Sequence, residues 1–425
     1  MTSFSCPTAI RAFFWSVVVT TLLLVQVVGQ SPPEHVFVGD DGSGGPKMTV
    51  VDTQTFGHFV TISGISQPLD SVTWSSSSPD LFVGAGNAVY RLDPGWFFPP
   101  YYTQATLQST TPGHVINPTL FIGANGIPVA TSPGGSFLAC PSGGGPATNL
   151  FPAPPWLSLD VGGFDPITGE YLAVAQVPGG RQVFRINPTC PYFRPLGPPL
   201  TLAPVTDLFS DGAGGVYLSD GDLHRVNALG SVQLRVGAAQ TTSGTICGIA
   251  QKLNTYHQFY AWSCGGDDVD QIDGSTQTAV TWIPGTLGGG SAVLHDMLRF
   301  AALPPYFKLT ATTNAGDLLL DVENIPAGSN FAMILASRIP APCGRGTGPA
   351  LGLWPDSLFF TFLLAPPVPG SYFHFPTSAN PYAIAPLTLP PGVFIALSGQ
   401  VWELTAIAYG NGGFKGQSNF RTLVW

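Results

Sequence analysis

Residues 205–236 have the sequence VTDLFSDGAGGVYLSDGDLHRVNALGSVQLRV. Four short runs in this stretch alternate apolar and polar residues, and turns rich in Asp, Gly and Asn separate them. Because a strand places successive side chains on opposite faces, this alternation predicts a four-stranded antiparallel meander.

Similar units recur before and after this stretch at intervals of about 40 to 50 residues, the spacing that is typical of propeller blades. The predicted second strands are centred on Phe37, Phe82, Phe121, Leu172, Tyr217 and Tyr260. A second series marks the starts of the predicted innermost strands: Asp70, Asn117, Asp160, Asp207, Ile249 and Asp296. We therefore expect an all-β chain with a six-bladed β-propeller over residues 35–302.

The two series are out of phase at the ends of this region. The strand at Phe37 has no innermost strand before it, and the strand at Asp296 has no second strand after it. We expect residues 296–302 to pair beside residues 36–39, so that the last blade combines both ends of the domain. This pairing would remove the sheet edges that an open ring leaves exposed.

The unit around Asp207 matches the pattern D-[LV]…G-x-[LVI]-[YF]-[VL]…[VL]-x-R-[VLI]-[ND], which is blurred in the third and sixth units. On this pattern, residues 35–302 resemble the repeats of secreted NHL-like and YVTN-type propellers. The resemblance implies a fold and no particular activity, because propellers carry many unrelated functions.

Residues 306–425 contain about eight apolar runs separated by Pro and Gly turns, which predicts a β-sandwich. Residues 359–364 are apolar without alternation, so we expect a strand that is buried on both faces or covered by the propeller. The closing residues GQVWELTAIAYGNGGFKGQSNFRTLVW resemble the terminal β-domain of exported, repeat-bearing proteins of environmental bacteria. That resemblance implies no activity.

Residues 1–29 have the pattern of a signal peptide, with Arg11 ahead of an apolar run over residues 13–28 and small residues after it. A retained anchor is the alternative, although the run is short for a bilayer span. We expect an exported protein in an extracellular, periplasmic or cell-surface location. Once the segment is removed, we expect no stable membrane insertion.

Charge is scarce and mostly acidic: charged residues are 9% of the chain, and the formal net charge is −9. Since no basic cluster is present, the sequence argues against nucleic acid and anionic membranes as partners. The hydrophobic content of 44% argues against disorder, because it supplies the apolar surface that a folded core needs.

The cysteines contain no CxxC pair that would suggest zinc or redox chemistry. Cys247 and Cys264 lie on either side of the polar turn at residues 254–257, so a hairpin would set them opposite each other and permit a disulfide. Cys140 and Cys190 could form a second bridge, which leaves Cys343 unpaired. Free buried thiols are the alternative for both pairs.

The sequence lacks the GxSxG, HExxH and GxxxxGK[ST] motifs of common enzymes. One group of residues could form a site: the side chains with oxygen ligands at the starts of the innermost strands. They are Asp70, Asn117, Asp160, Asp207 and Asp296. If these side chains converge at the channel, they offer a site for calcium, as in the calcium-dependent lactonases built on propellers. The alternative, which the repetition favours, is that each side chain accepts backbone N–H bonds at its strand start and from the neighbouring blade.

An aromatic segment bounded by prolines gives a second candidate site, composed of Trp96, Phe97, Phe98, Tyr101 and Tyr102. Exposed aromatic faces are common at carbohydrate-binding and protein-binding surfaces. The alternative is a lid that packs over a blade edge.

These observations together predict an exported, non-catalytic binding or surface-associated scaffold whose partner is an unidentified protein or glycan. A calcium-dependent hydrolase of the lactonase type is the first alternative, and a structural protein of an envelope or matrix is the second. Calcium is the only cofactor that the sequence suggests.

Overall fold

The computed structural model describes residues 35–425 except 53–55, 75–79, 94–101, 112–119, 124–125, 133–135, 151–157, 188–189, 242–243, 252–256, 264–265, 267, 275, 284–292, 300–305, 315–316, 342–344, 347, 391–396 and 412. The predicted signal peptide lies outside these residues. Within them, no helix is both long and apolar enough to cross a membrane.

The first part of the chain consists of strands. In chain order they are β1 (His35–Asp40), β2 (Pro46–Asp52), β3 (Phe56–Phe59), β4 (Thr61–Ser63), β5 (Ser71–Trp74), β6 (Leu81–Ala85), β7 (Ala88–Leu92), β8 (Tyr102–Thr110), β9 (Leu120–Ile122), β10 (Pro128–Ser132), β11 (Ser136–Ala139), β12 (Thr148–Asn149), β13 (Ser158–Asp165), β14 (Glu170–Val177), β15 (Gly180–Asn187), β16 (Cys190–Pro195), β17 (Asp207–Ser210), β18 (Val216–Ser219), β19 (Leu223–Val226), β20 (Val232–Val236), β21 (Ile246–Gln251), β22 (Gln258–Ser263), β23 (Val269–Asp273), β24 (Thr278–Ile283) and β25 (Val293–Arg299). A short 3-10 helix, Ala238–Gln240, precedes β21.

These strands form six antiparallel sheets of consecutive strands, with two additions. The sheets have the orders β25-β1-β2-β3, β5-β6-β7-β8, β9-β10-β11-β12, β13-β14-β15-β16, β17-β18-β19-β20 and β21-β22-β23-β24. Strand β4 adds to the second sheet by pairing parallel to β8, and β25 joins the first sheet from the far end of the region.

The innermost strands close a ring. Strand β5 contacts β9, β9 contacts β13, and the series continues through β17, β21 and β25 until β25 contacts β5. The all-β, propeller-type fold that the repeats predict is therefore confirmed.

The pairing of the two ends of this region is also confirmed. Strand β25 lies antiparallel to β1, with Val38 opposite Asp296 and a register shift between Val38 and Gly39. Both edges of β1 are thus hydrogen-bonded, one to β25 and the other to β2.

The third unit differs from the prediction. Phe121 lies in β9, which is the innermost strand of its sheet, whereas the repeats predicted it in the second strand. The second strand is β10 instead, and Val129 pairs with Phe121 across the two strands. The LFIG run of the innermost strand mimics the second-strand motif, which explains why the sequence spacing was irregular at this unit.

The stretch at residues 205–236 folds as predicted because its turn residues satisfy their own backbone. Asp211 Oδ1 accepts hydrogen bonds from Ala213 N (2.8 Å) and Gly215 N (2.7 Å). The guanidinium of Arg225 binds the other oxygen of Asp211 at 2.7 and 2.9 Å. Asn227 forms the same kind of turn, and such local bonds favour Asp and Asn at these positions.

The core lies between neighbouring sheets. Val216 and Leu218 of β18 pack against Val161 and Leu172 of the preceding sheet. Tyr217, on the opposite face of β18, packs in another cluster with residues of the following sheet. Both faces of the strand are therefore buried, which explains its continuous apolar run.

The remaining chain contains β26 (Lys308–Asn314), β27 (Asp317–Glu323), β28 (Phe331–Ser337), α1 (Ser357–Leu363), β29 (His374–Pro376), β30 (Leu387–Thr388), β31 (Val401–Gly410), β32 (Gly413–Gln417) and β33 (Arg421–Val424), with two 3-10 turns at Thr377–Ala379 and Pro381–Ala383. One sheet has the order β26-β27-β30, and the other has β29-β28-β31-β32 with β33 also on β31. Leu320 of the first sheet and Ile334 of the second belong to one hydrophobic core. The two sheets thus share one hydrophobic core, and the predicted β-sandwich stays a prediction.

The predicted buried strand at residues 359–364 is wrong, because this segment lies in helix α1 and the residue after it. Asp356 caps the helix by accepting a hydrogen bond from Phe359 N. Leu358 and Phe359 are buried, whereas Phe360 is 48% exposed and Leu364 is 78% exposed. The run has one buried face and one exposed face, and the lack of alternation alone does not distinguish such a helix from a fully buried strand.

The two parts of the chain contact each other at the turn described above. Gln417 N donates a 2.7 Å hydrogen bond to Ala213 O, and Gly416 lies so close to Ala213 that a Cβ on Gly416 would be 2.7 Å from the alanine Cβ. The buried guanidinium of Arg185 donates a 3.0 Å hydrogen bond to Gly214 O of the same turn.

Of the two predicted disulfides, the structure excludes one and does not test the other. Cys140 is a buried free thiol, so the suggested bridge between Cys140 and Cys190 is wrong. Burial raises the pKa of Cys140 to about 11, which makes it unreactive as a thiolate. Cys264 and Cys343 lie outside the described residues, and the disulfide between Cys247 and Cys264 stays a prediction.

Candidate functional site

A central cavity of about 170 Å³ lies inside the ring, and each of the six innermost strands contributes to its wall. The polar part of the wall consists of Thr73, Thr206, Asp207, His295 and Asp296. The aromatic part consists of Phe121, Phe164, Phe209 and Trp262. A concave apolar site with a few converging polar groups is the usual form of a small-molecule site.

Asp207 begins β17 and joins two neighbouring sheets. Its Oδ1 accepts a hydrogen bond from Leu208 N (2.7 Å), and its Oδ2 accepts one from Ile249 N of β21 (2.9 Å). Burial raises the pKa of Asp207 to about 7, although both backbone bonds act in the opposite direction. The desolvation of the charged form therefore outweighs the stabilisation that the two N–H groups provide.

Asp296 lies in β25 and connects the first sheet to the second sheet. Its Oδ2 accepts a 2.8 Å hydrogen bond from Val72 N of β5. The preceding residue, His295, has its Nδ1 3.0 Å from Leu69 O, so this nitrogen carries the proton. The same nitrogen lies 3.8 Å from Asp70 Oδ1.

The other described carboxylates of the predicted ring are not among the cavity-lining residues. Asp160 forms an ion pair with Arg181 and also accepts from Val205 N at 3.3 Å. Asp70 Oδ2 accepts from Gly86 N at 2.7 Å, and burial raises the pKa of Asp70. Asn117 lies outside the described residues. The cavity therefore brings together Asp207 and Asp296 and not the whole ring.

Three carboxylates thus accept backbone N–H bonds from a neighbouring sheet or the segment that leads into it: Asp160, Asp207 and Asp296. These contacts are the ones that the structural alternative predicted. The positions of the donor N–H groups shift along the strands. Asp207 accepts from Ile249, the residue aligned with it in the next unit, whereas Asp296 accepts from Val72, which lies two residues beyond Asp70. The bonds hold the inner ends of neighbouring sheets together.

Metal-ligand spacing occurs elsewhere in the described part of the chain. Ligand atoms of Asp220, Asp222 and His224 lie within 4.8 Å of one another in the β18–β19 turn. Asp220 Oδ1 is 2.9 Å from His224 Nε2, and Asp222 Oδ1 accepts from Ala238 N at 2.6 Å. These hydrogen bonds explain why the three side chains lie close together without a metal ion.

The sequence did not single out Trp262, His295 or Gly248 as site residues. Trp262 Nε1 donates a 3.2 Å hydrogen bond to His295 O. The indole covers Gly248 so closely that a Cβ there would lie 2.0 Å from the ring. Gly248 is therefore needed to keep Trp262 on the cavity wall. The pairing of CGIA with FYAW in the sixth unit was the available signal.

The aromatic segment is mostly untested, because Trp96, Phe97, Phe98 and Tyr101 lie outside the described residues. Tyr102 begins β8 and is 50% exposed. Its hydroxyl donates a 2.8 Å hydrogen bond to Ser63 Oγ of β4. The surface role of this segment stays a prediction.

No family model matches the chain, and no curated protein matches it. Among solved structures, it is similar to a gluconolactonase from Xanthomonas campestris at 13% identity and a TM-score of 0.42, with 68% of this chain and 91% of that chain covered. It is also similar to regucalcin, a calcium-binding protein from Agrobacterium tumefaciens, at 12% identity and a TM-score of 0.37, covering 60% and 81%. It is similar as well to the WD40 β-propeller domain of Doa1, at 14% identity and a TM-score of 0.39, with 68% of this chain and 90% of that chain covered. The fold assignment rests on the strand order and ring closure of this chain itself.

Proposed function

We propose that the chain is an exported, non-catalytic binding protein and that the central cavity is its binding site. The observation that carries this proposal is the cavity wall, to which each of the six innermost strands contributes. Such a wall is fixed by the closed ring, and a rigid, preformed site lowers the entropy cost of binding.

The hydrogen bonds of the wall carboxylates favour binding over catalysis. Asp207 holds β17 to β21, and Asp296 holds β25 to β5. Both carboxylates therefore hold neighbouring sheets together. Such a role keeps a carboxylate in a fixed position, whereas a catalytic carboxylate exchanges protons and moves during the reaction. Export rests on residues 1–29, and the location is extracellular, periplasmic or at the cell surface.

A partner surface at the aromatic segment, for a protein or a glycan, belongs to the same proposal. Tyr102 supports it, because half of this side chain is exposed at the start of β8. Phe59, at the end of β3, is 55% exposed as well, with the Lys47 ammonium 4.1 Å from its ring centre.

The proposal is tested by thermal shift with a panel of small cationic, neutral and anionic molecules, and with calcium chloride. We expect at least one class of small molecule to raise the Tm of the wild type by mass action. The Gly248→Ala variant should lose this shift, because the added Cβ displaces Trp262 from the cavity wall. Each variant is compared with its own Tm without additive, so a loss of stability does not imitate a loss of binding.

If no member of the panel shifts the Tm, the binding proposal is overturned and the structural role in an envelope or matrix is favoured. If a shift occurs and persists in Gly248→Ala, the binding site lies outside the central cavity.

A calcium-dependent hydrolase of the lactonase type is the second candidate. One observation favours it: Asp207, whose pKa is raised to about 7, lies on the same wall as Asp296. A general base is most effective when its pKa is near the working pH. This candidate requires that calcium raise the Tm, that Asp207→Asn abolish that shift, and that the wild type hydrolyse lactones.

A further inference from the structure

We propose that the central cavity binds a small neutral molecule of about one ring in size, whose hydroxyl group donates a hydrogen bond to Nε2 of His295. This inference rests on the proposed function, because it names the class of ligand for the same cavity.

The first observation is the fixed orientation of His295. Its Nδ1 donates a 3.0 Å hydrogen bond to Leu69 O and lies 3.8 Å from Asp70 Oδ1. Its backbone oxygen accepts a 3.2 Å hydrogen bond from Trp262 Nε1. Because Nδ1 carries the proton, the other nitrogen of the neutral ring, Nε2, is a hydrogen-bond acceptor.

The second observation is that this acceptor is accessible from the cavity. None of the described residues forms a hydrogen bond with Nε2 of His295, and the atom keeps some solvent exposure, unlike the buried Nδ1 of His224. The His295 side chain is 30% exposed and belongs to the cavity wall. Nε2 also faces away from Leu69, which is bonded to the opposite edge of the ring. A ligand with an O–H group would supply the missing donor.

The hydrogen bonds of the other wall residues also favour a donor as the ligand. Each oxygen of Asp207 accepts one backbone N–H bond, and a carboxylate oxygen has room for a second one. The N–H group of Trp262 is already bonded to His295 O. The hydroxyl of Thr206 lies 3.2 Å from Ser219 O and donates to it. A ligand that only accepts hydrogen bonds, or that is an anion, would therefore find few partners among these side chains.

The size and the apolar part of the cavity limit the ligand further. Val72, Leu120 and Leu208 contribute aliphatic residues to the wall. The cavity volume is about 170 Å³, and a cavity of about 150 Å³ is known to admit benzene. One ring with one hydroxyl group thus fits the volume, whereas a peptide or an oligosaccharide does not.

The test is isothermal titration of the full chain, without the predicted signal peptide, at pH 8, where Asp207 is mostly ionised. The probe is phenol, and the control ligand is toluene, in which a methyl group of similar size replaces the hydroxyl. Because toluene is more apolar than phenol, the measured quantity is the ratio of the two affinities in each variant. Toluene then reports any general change in the shape of the cavity.

Two substitutions of His295 separate the acceptor from the rest of the side chain. His295→Asn removes Nε2, although the asparagine N–H can still donate to Leu69 O. We expect it to lower the ratio of phenol to toluene affinity by about three- to tenfold. His295→Gln places an amide oxygen near the position of Nε2 and should keep the ratio close to that of the wild type.

His224→Asn is the matched control. His224 Nε2 bonds Asp220 at the β18–β19 turn, and the residue does not line the cavity. The same change of side chain at this position should leave the ratio unaltered.

A second ligand tests the same bond on the wild type alone, in case a variant does not fold. Anisole replaces the hydroxyl hydrogen of phenol by a methyl group, so it cannot donate to Nε2. It should bind at least about threefold more weakly than phenol, and equal or tighter binding of anisole would overturn the inference.

The contrary results have distinct meanings. An equal ratio in the wild type and in His295→Asn, or equal losses in His295→Asn and His295→Gln, overturns the role of Nε2 while the cavity remains a binding site. Binding of benzylamine, which is a cation at pH 8, or of glucose without binding of phenol overturns the ligand class and leaves the proposed function intact. If phenol does not bind and no member of the thermal-shift panel raises the Tm, the proposed function fails together with the inference.

Discussion

Asp207 shows how one residue serves both the ring and the cavity. It lies at the start of β17, accepts backbone N–H bonds from Leu208 and Ile249, and lines the cavity wall. Its repeated spacing predicted the strand start and favoured the contact with the neighbouring blade. The sequence did not predict that Asp296 would share the cavity with Asp207 while Asp70 and Asp160 would not, because that depends on the shift of each bond along the strands.

The raised pKa of Asp207 makes a pH prediction. The folded-state pKa is about 7, whereas the unfolded value is about 3.9. Between these values the native state binds more protons, so the contribution of Asp207 to the free energy of unfolding falls as pH rises, by up to about 1.4 kcal/mol per pH unit.

Urea denaturation of the wild type and of Asp207→Asn between about pH 4 and pH 8 measures this effect. The difference in the free energy of unfolding, wild type minus variant, should decrease steadily with pH. A difference that stays constant over this range would show that Asp207 is ionised throughout, as an ordinary carboxylate is.

Helix α1 shows, at the level of one element, where pattern reasoning failed. The buried positions Leu358 and Phe359, with Phe362 packed beside them, follow helical spacing, and Asp356 is a favourable N-cap residue. Alternation of period two was absent, and the run was too short for periodicity to distinguish a strand from a helix. The capping residue and the two prolines after the run were the better signals.

Asp356 should stabilise this helix measurably. Its Oδ1 accepts from Phe359 N at 2.8 Å, and its Oδ2 accepts from Arg338 N at 2.7 Å. We expect Asp356→Ala to lower the free energy of unfolding by about 1 to 2 kcal/mol. Asp356→Asn keeps a capping oxygen and should cost less. Equal losses for both variants, measured by urea denaturation, would argue against the capping role.

Strand β25 carries the closure of the ring. Leu294 is 2% exposed and packs with Phe37, Tyr260 and Trp262. Leu294→Ala should lower the free energy of unfolding by about 2 to 5 kcal/mol, because it leaves a cavity in this cluster.

Hydrogen exchange locates the effect of Leu294→Ala. Exchange should rise in β1 and β5 as well as in β25, because β25 pairs with β1 and contacts β5. The control is Leu234→Ala, whose side chain is 52% exposed in β20 and should change stability little. A rise confined to β25 would contradict a closed ring.

Over the whole molecule, the sequence repeats predicted the features that each unit shares, and they did not predict the features that occur only once. Strand order, the joining of the two ends and the strand start at Asp207 follow from spacing alone, whereas Asp296 lies in the middle of β25 and not at its start. The strand assignment in the third unit was wrong, because the LFIG run at Phe121 resembles the second-strand motif although it lies in the innermost strand. The contact of Gln417 with Ala213 joins parts far apart in the chain, and no local pattern encodes it.

The cavity was the least predictable part of the molecule. Its wall combines residues from every sheet of the ring, and most of them, such as Trp262 and His295, have ordinary local surroundings in the sequence. Their convergence is a property of the closed ring. The sequence offered a ring of carboxylates at the channel as one candidate site, and the structure adds Trp262 and three phenylalanines to the residues that line the cavity.

A crystal structure of the wild type, grown with a saturating concentration of the strongest ligand of the thermal-shift panel, would show whether the central cavity is the binding site. We expect ligand density inside the ring, in contact with Trp262 and close to the carboxylate of Asp207. Density at the outer surface beside Tyr102, with the central cavity unchanged, would contradict it.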